Sequence, residues 1–186
     1  MNKTYDLVLE AICAALITIC SWISLTVMQI PFTLQTFAIL LILFTTGGKR
    51  GTVSILIYVL MGLIGLPVFA GFKSGPAALT GPTGGFIIGF IFAGLIYWAA
   101  DSLWLGKYKK KRTMMLIINI AEGVIAELFL YVFGVIWFMV IYTRNSGAIG
   151  LSAVLTMCVI PFIIPDAVKL ITAAVTSVRT AGIVKQ

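Results

Sequence analysis

Histidine is absent from this 186-residue sequence, and charged residues make up only 10% of it. The missing histidines exclude Ser-His-Asp triads, histidine general bases and most zinc or haem sites. A soluble domain carries roughly 25% charged residues, so this chain has too few to cover a surface that faces water. Only six residues are acidic, and they form no cluster that would predict a metal site.

Cysteine is scarce as well. Cys13, Cys20 and Cys158 lie in apolar segments and form no C-x-x-C motif, so we expect buried thiols. No G-x-x-x-x-G-K-[ST] phosphate-binding motif is present, so ATP would have to be hydrolysed by another subunit. The net charge of +7 arises from basic residues at the ends of apolar segments, a pattern that indicates membrane orientation rather than nucleic-acid binding.

Long apolar segments dominate the rest of the chain, which is 61% hydrophobic with a mean hydropathy of +1.13. A membrane helix needs about 20 apolar residues. The sequence therefore predicts an all-α integral membrane bundle, formed as a single domain by residues 1–186. The predicted spans are residues 7–28, 36–46, 52–69, 86–104, 113–142 and 166–184, with a short re-entrant or capping helix at 151–163. Because the first span is longer than the roughly 7–15 apolar residues of a signal peptide, we expect it to be retained.

The distribution of basic residues favours six spans with both termini in the cytoplasm. This topology places ten of the thirteen basic residues inside, as the positive-inside rule requires. The ten are Lys3, Lys49, Arg50, Lys107, Lys109, Lys110, Lys111, Arg112, Arg179 and Lys185. The loop at 29–35, the glycine- and proline-rich stretch at 70–85 and the start of the last helix then lie on the outer side, where they suggest a ligand pocket.

Asp166 and Lys169 are three residues apart at the start of the last span, so they share one face of a helix. Ionisable residues inside a membrane segment are costly and usually face a functional interior. We expect Asp166 in the first helical turn, directly after Pro165. Asp166 would accept hydrogen bonds from ligand N–H groups, and Lys169 would offer a cation to an anionic group. The alternative is an ion pair that only neutralises two buried charges.

Two glutamates within the fifth predicted span are further candidates. Glu122 and Glu127 have either an interior hydrogen-bonding role or a role in ligand contact or proton relay. Glu127 is the better ligand candidate because it lies nearer the outer half. Five aromatic residues could form pocket walls, or they belong to the core or the aromatic belt. They are Phe72, Phe86, Tyr131, Trp137 and Phe162.

A pattern of small residues marks the first span. Ala11 and Ala15 form a small-x-x-x-small pair, which allows another helix to approach closely. The approaching helix belongs either to this chain or to a partner membrane protein.

Three motifs together resemble a known family. They are residues 31–36 (PFTLQT), 81–90 (GPTGGFIIGF) and 161–169 (PFIIPDAVK). In order and spacing they resemble the BioY family of bacterial biotin transporters, and the resemblance covers nearly the whole chain. The sequence departs from the family pattern at Pro165, where glycine is common, and at Phe86, where tyrosine is common, so one hydroxyl contact is missing.

The resemblance implies a substrate-binding (S) subunit of an energy-coupling-factor (ECF) transporter, with six helices, in the bacterial cell membrane. Such a subunit captures biotin from outside, is not an enzyme and needs no cofactor. It works with a transmembrane coupling protein and two ATPase subunits that use the ATP. The resemblance implies ligand contacts at Asp166 and Lys169, and contact with the coupling protein at Ala11 and Ala15. Within the motifs and the fifth span we expect further ligand contacts at Gln35, Thr83, Gly84, Gly85, Phe86, Glu127 and Tyr131.

The chemistry of biotin agrees with this interpretation. Its ureido ring carries two N–H donors, which suit Asp166, and its carboxylate would suit Lys169, although the residues leave the assignment open. Alternative functions are an S subunit for another vitamin, such as thiamin or riboflavin, and a structural membrane subunit. An enzyme acting on lipids or prenyl groups would need histidines or metal-binding aspartates, which this sequence does not provide.

Overall fold

The computed structural model describes residues 3–25, 30–105 and 111–184. These parts of the chain contain eight α-helices and one pair of two-residue strands. In order they are α1 (Lys3–Trp22), β1 (Ser24–Leu25), β2 (Phe32–Thr33), α2 (Gln35–Thr46), α3 (Gly48–Leu63), α4 (Pro76–Thr80), α5 (Gly84–Ala100), α6 (Arg112–Ser146), α7 (Leu151–Cys158) and α8 (Ile160–Val184). A 3-10 turn covers Ala70–Phe72 and a π-helical turn covers Asp101–Leu105. The predicted helical architecture is confirmed, apart from the small antiparallel β1–β2 ladder.

Four helical stretches of the described chain are long and apolar enough to cross a membrane, and they make the chain a helical membrane protein. They are Lys3–Trp22, Gly84–Leu103, Arg112–Ser146 and Leu151–Ala181. Helices α2 and α3 are shorter, with 12 and 16 residues, or about 18 and 24 Å at 1.5 Å per residue. Large apolar side chains are exposed on the outside of the bundle, among them Leu7, Val132 and Ile164.

Helix α2 lies at the centre of the bundle, where it packs against α1, α3 and α8, while α5 packs against α6. Most side chains of α2 are buried, as expected for a helix that is apolar on all sides. The predicted spans leave residues 47–51 as the connection between α2 and α3, but the connection is shorter than expected. Only Gly47, at φ 84°, separates α2 from α3. Gly48 already belongs to α3, because its missing Cβ allows the backbone of Trp98 to approach closely.

The last helix begins earlier than predicted. Helix α8 starts at Ile160, so the prediction that Asp166 lies in the first turn is wrong, and Pro165 lies inside the helix. Pro161 instead occupies the beginning of α8, where a proline costs no backbone hydrogen bond. Val159, at φ −125° and ψ −58°, separates α8 from the short helix α7. Asp166 is therefore held in the second turn of a continuous helix rather than at a flexible end.

Polar contacts hold the end of the bundle that lies away from the β1–β2 ladder. Arg50 Nη2 lies 2.7 Å from Asp6 Oδ1 and links α3 to α1. The Gly48 backbone N–H donates to Asp101 Oδ2 at 3.5 Å and links α3 to the end of α5. Four of the ten basic residues expected inside lie outside the described residues, namely Lys107, Lys109, Lys110 and Lys185.

Candidate ligand-binding site

A cavity forms where the β2–α2 segment, the loop before α4, the start of α5, the middle of α6 and the α7–α8 region meet. Its empty volume is about 760 Å³, including the space that is open to solvent. The lining is mainly apolar. Six of the nine predicted ligand residues line it, namely Gln35, Thr83, Phe86, Tyr131, Asp166 and Lys169.

Asp166 is the centre of a hydrogen-bonded group in this cavity. The Lys169 ammonium donates to Asp166 Oδ1 at 2.8 Å, and the Tyr131 hydroxyl donates to Asp166 Oδ2 at 2.5 Å. The side chains of Lys169 and Asp166 are only 7% and 8% exposed. A carboxylate has about four acceptor positions and an ammonium has three donors. Both groups therefore keep hydrogen-bonding capacity for a ligand.

An aromatic ring completes the surroundings of Lys169. Its Nζ lies 4.1 Å from the centroid of the Phe32 ring, and Phe32 stacks on Phe162 with 6.2 Å between centroids. The β1–β2 pairing fixes this position, since Phe32 faces Leu25 in the ladder. The ammonium is thus held between a carboxylate and the face of an aromatic ring, which attracts cations.

Gln35 contributes an amide at the first turn of α2. It is only 4% exposed, and its Nε2 donates to the Tyr58 hydroxyl at 3.0 Å. The Gln35 backbone N–H donates to Thr33 Oγ1 at 3.2 Å. These bonds hold the Gln35 side chain in one orientation at the cavity wall.

Gly84 and Gly85 do not line the cavity, although ligand contact was expected there. A Cβ on Gly84 would lie 1.7 Å from the Leu79 carbonyl oxygen, and one on Gly85 would lie 2.2 Å from Trp137 Cβ. The two glycines therefore allow α4 to pack on the start of α5, and α5 on α6. This close packing places the neighbouring Thr83 and Phe86 at the cavity.

Glu127 also lies outside the cavity lining. It borders a second, mostly apolar groove between α6 and α8, whose lining also includes Tyr131 and Asp166. Glu127 Oε1 is buried and has no hydrogen-bond partner within the described residues. Glu122, one turn earlier, is 1% exposed and lines neither the cavity nor the groove. Both glutamates thus face the bundle without forming part of the cavity wall.

The predicted docking pair lies on the outer face of α1. Ala11 and Ala15 are both exposed, whereas Ala14 between them is buried. The large side chain of Ile12 on the same helix is 62% exposed. The small-residue pair is therefore not used for packing within the described part of this chain, and it remains open to another helix.

Comparison with known sequences identifies the family. The sequence profile of the BioY family matches residues 1–186. The chain belongs to the BioY family. The biotin transporter BioY of Thermotoga maritima is 33% identical over 174 residues, which cover 94% of either chain. A probable biotin transporter BioY of Pyrococcus horikoshii is 34% identical over 180 residues, which cover 97% of this chain and 98% of the relative.

A solved structure shares the fold of this BioY chain. It is the crystal structure of the S-component for biotin from an ECF-type ABC transporter. The TM-score is 0.78 at 29% identity, and the match covers 98% of this chain and 95% of the other. The helical bundle described above is therefore the fold of an S-component.

Several residues of this BioY chain that line the cavity or contact Lys169 were not predicted as ligand contacts. Phe32 lies inside the first BioY motif, so an aromatic residue beside Pro31 was the available signal. Lys73 lines the cavity, but from sequence it was only one of the three basic residues placed outside the cytoplasm. Cys158 also lines the cavity, and no sequence signal separates it from a thiol in the core.

Proposed function

We propose that this chain is a biotin-binding S subunit, which captures the vitamin from outside the cell for uptake by an ECF-type transporter. The observation that carries the proposal is the buried Asp166–Lys169–Tyr131 group in an otherwise apolar cavity. The relatives of the chain are named biotin transporters. The role is that of a transport subunit and not of an enzyme.

The paired charges suit the ureido ring of biotin. In a ureido group, an N–H donor and the carbonyl acceptor lie side by side on one edge. Asp166 and Lys169 present the complementary edge, an acceptor and a donor 2.8 Å apart. We therefore assign both residues to the ureido ring, an assignment that the sequence left open. Charge-assisted hydrogen bonds of this kind are short and strong.

The apolar part of the lining suits the remainder of the vitamin. Phe86, Phe90 and Leu130 line the cavity, and they would contact the sulfur-containing ring and the methylene chain. A ligand without the ureido edge would leave Asp166 and Lys169 buried without new partners. Because unpaired buried polar groups are costly, the site would reject such ligands strongly.

We also propose a single membrane domain over residues 1–186 that crosses the bacterial cell membrane six times, with α1, α2, α3, α5, α6 and α8 as the spans. The positive-inside rule supports cytoplasmic termini. Six of the ten basic residues expected inside are described, and each lies near the start or end of a helix at the end opposite to the cavity. They are Lys3, Lys49, Arg50, Lys111, Arg112 and Arg179. With this orientation the cavity opens to the outside.

The exposed alanines on α1 support a role in assembly. Ala11 and Ala15 are both exposed on a membrane helix, and small residues let a second helix approach closely. We propose that the transmembrane coupling protein of the ECF transporter binds this face, and that two ATPase subunits supply the energy from ATP. The chain itself then needs no cofactor.

A vitamin panel tests the proposed ligand. Thermal unfolding of the purified chain is measured in detergent with biotin, thiamin or riboflavin, and affinities are measured by calorimetry. A ligand at one hundred times its Kd stabilises the folded state by about 2.7 kcal/mol. We expect biotin alone to raise the Tm. A shift with thiamin or riboflavin instead would identify a different vitamin, and no shift with any of them would favour the structural-subunit alternative.

A further inference from the structure

The charges on the cavity wall do not cancel. Three charged side chains line the cavity, Lys73, Asp166 and Lys169. Asp166 and Lys169 neutralise each other at 2.8 Å. Lys73 has no acidic partner in the part of the chain that the structure describes. The wall therefore carries one uncompensated positive charge, which suits an anionic group on the ligand.

The two cationic residues differ in depth. Counted over the whole residue, Asp166 and Lys169 are 5% and 7% exposed. Lys73, in contrast, is exposed to solvent. Apolar residues, including Phe69 and Phe86, also line the cavity. The cavity thus has a buried polar end, an apolar wall and a cationic mouth.

The loop that carries Lys73 is held firmly at this mouth. The Phe69 backbone N–H donates to the Lys73 carbonyl oxygen at 3.1 Å. Phe69 is 1% exposed and packs edge-on against Tyr58, with 5.5 Å between ring centroids. Phe72 has a φ of 58°, which is uncommon for a residue other than glycine, and its ring lies 5.2 Å from that of Trp22. These contacts fix the Lys73 backbone beside the cavity.

We infer that Lys73 binds the carboxylate of the ligand at the mouth of the cavity, while Asp166 and Lys169 hold the ureido ring at its buried end. This inference rests on the proposed function. Biotin separates its ring from its carboxylate by a chain of methylene groups, so one adjacent Asp–Lys pair cannot bind both ends. Lys73 is the remaining cation on the described wall, and its position matches the end that reaches solvent.

The test compares biotin with biotinamide, whose side chain ends in an uncharged amide. Affinities are measured by calorimetry for the unchanged chain and for Lys73→Gln, Lys73→Arg and Arg144→Gln. Arg144 is exposed near the end of α6 and does not line the cavity, so its variant controls for the loss of one positive charge. An ion pair at a solvent-exposed site changes affinity by up to roughly fivefold. Salt screens such a pair.

We expect the unchanged chain to prefer biotin to biotinamide by roughly fivefold at low salt, and the preference to shrink at high salt. Lys73→Gln should remove the preference by weakening biotin binding, whereas Lys73→Arg and Arg144→Gln should retain the preference. Equal affinities for biotin and biotinamide in the unchanged chain, or an undiminished preference in Lys73→Gln, would overturn the role of Lys73. Failure of the unchanged chain to bind either compound would instead contradict the proposed function.

Discussion

Single and double substitutions of the Asp166–Lys169 pair distinguish its role in ligand binding from its role in protein stability. Lys169→Met removes the donor to Asp166 Oδ1 and leaves a buried carboxylate with Tyr131 as its remaining donor. Breaking a buried ion pair costs about 3–5 kcal/mol. We expect the lower end, about 3 kcal/mol, because the Tyr131 hydroxyl still stabilises the charge. At about 2–4 °C per kcal/mol for a chain of this size, the Tm should fall by about 6–12 °C.

The double variant Asp166→Asn/Lys169→Met removes both charges. Replacing a whole buried pair by uncharged groups is often close to neutral, so we expect its Tm to return most of the way to that of the unchanged chain. Thermal unfolding in detergent measures stability, and calorimetry measures biotin binding. We expect the double variant to fold and to bind no biotin. Normal biotin affinity in the double variant would refute the site and leave the pair a purely structural role.

Three further variants test separate parts of the structure. Gly85→Ala would place a Cβ 2.2 Å from Trp137 Cβ, so the free energy of unfolding should fall by about 1–3 kcal/mol in unfolding assays. The control is Gly150→Ala, whose added Cβ would have no atom nearer than 3.9 Å. This control should leave the free energy of unfolding nearly unchanged. Phe32→Leu removes the cation–π contact with Lys169, which is worth about 0.5–2 kcal/mol. Calorimetry should therefore show biotin binding weakened by about 2- to 30-fold. An unchanged biotin affinity would contradict a role of this contact in binding. Ala15→Leu should abolish co-purification with the coupling protein while biotin affinity stays normal, whereas intact assembly would remove α1 from the docking surface.

Much of the fold follows from apolar periodicity and length. The sequence predicts α2 at residues 36–46, and the structure places it at Gln35–Thr46. The start of α8 could not be predicted in the same way. Pro165 suggested a helix start, yet it is accommodated inside α8, and the actual start depends on Val159 and its contact with α7. Residues 47–51, with glycine at 47, 48 and 51, were left outside the predicted spans, because the close approach of Trp98 to Gly48 cannot be read from a single sequence.

The candidate site was predictable where its residues are neighbours in sequence. Asp166 and Lys169 are three residues apart, and helix geometry alone brings them to one face. Lys73 reaches the same cavity through tertiary packing, for which the sequence carries no local signal. Gly84 and Gly85 were expected to contact the ligand, but the structure shows them at helix contacts, because a glycine motif indicates close approach without indicating what approaches.

A structure of the purified chain with biotin bound tests the central claim most directly. The account predicts ureido density beside Asp166 and Lys169, within hydrogen-bonding distance of both, and a valerate chain directed towards solvent. Biotin seated elsewhere, or bound with its ring turned away from these two side chains, would contradict it.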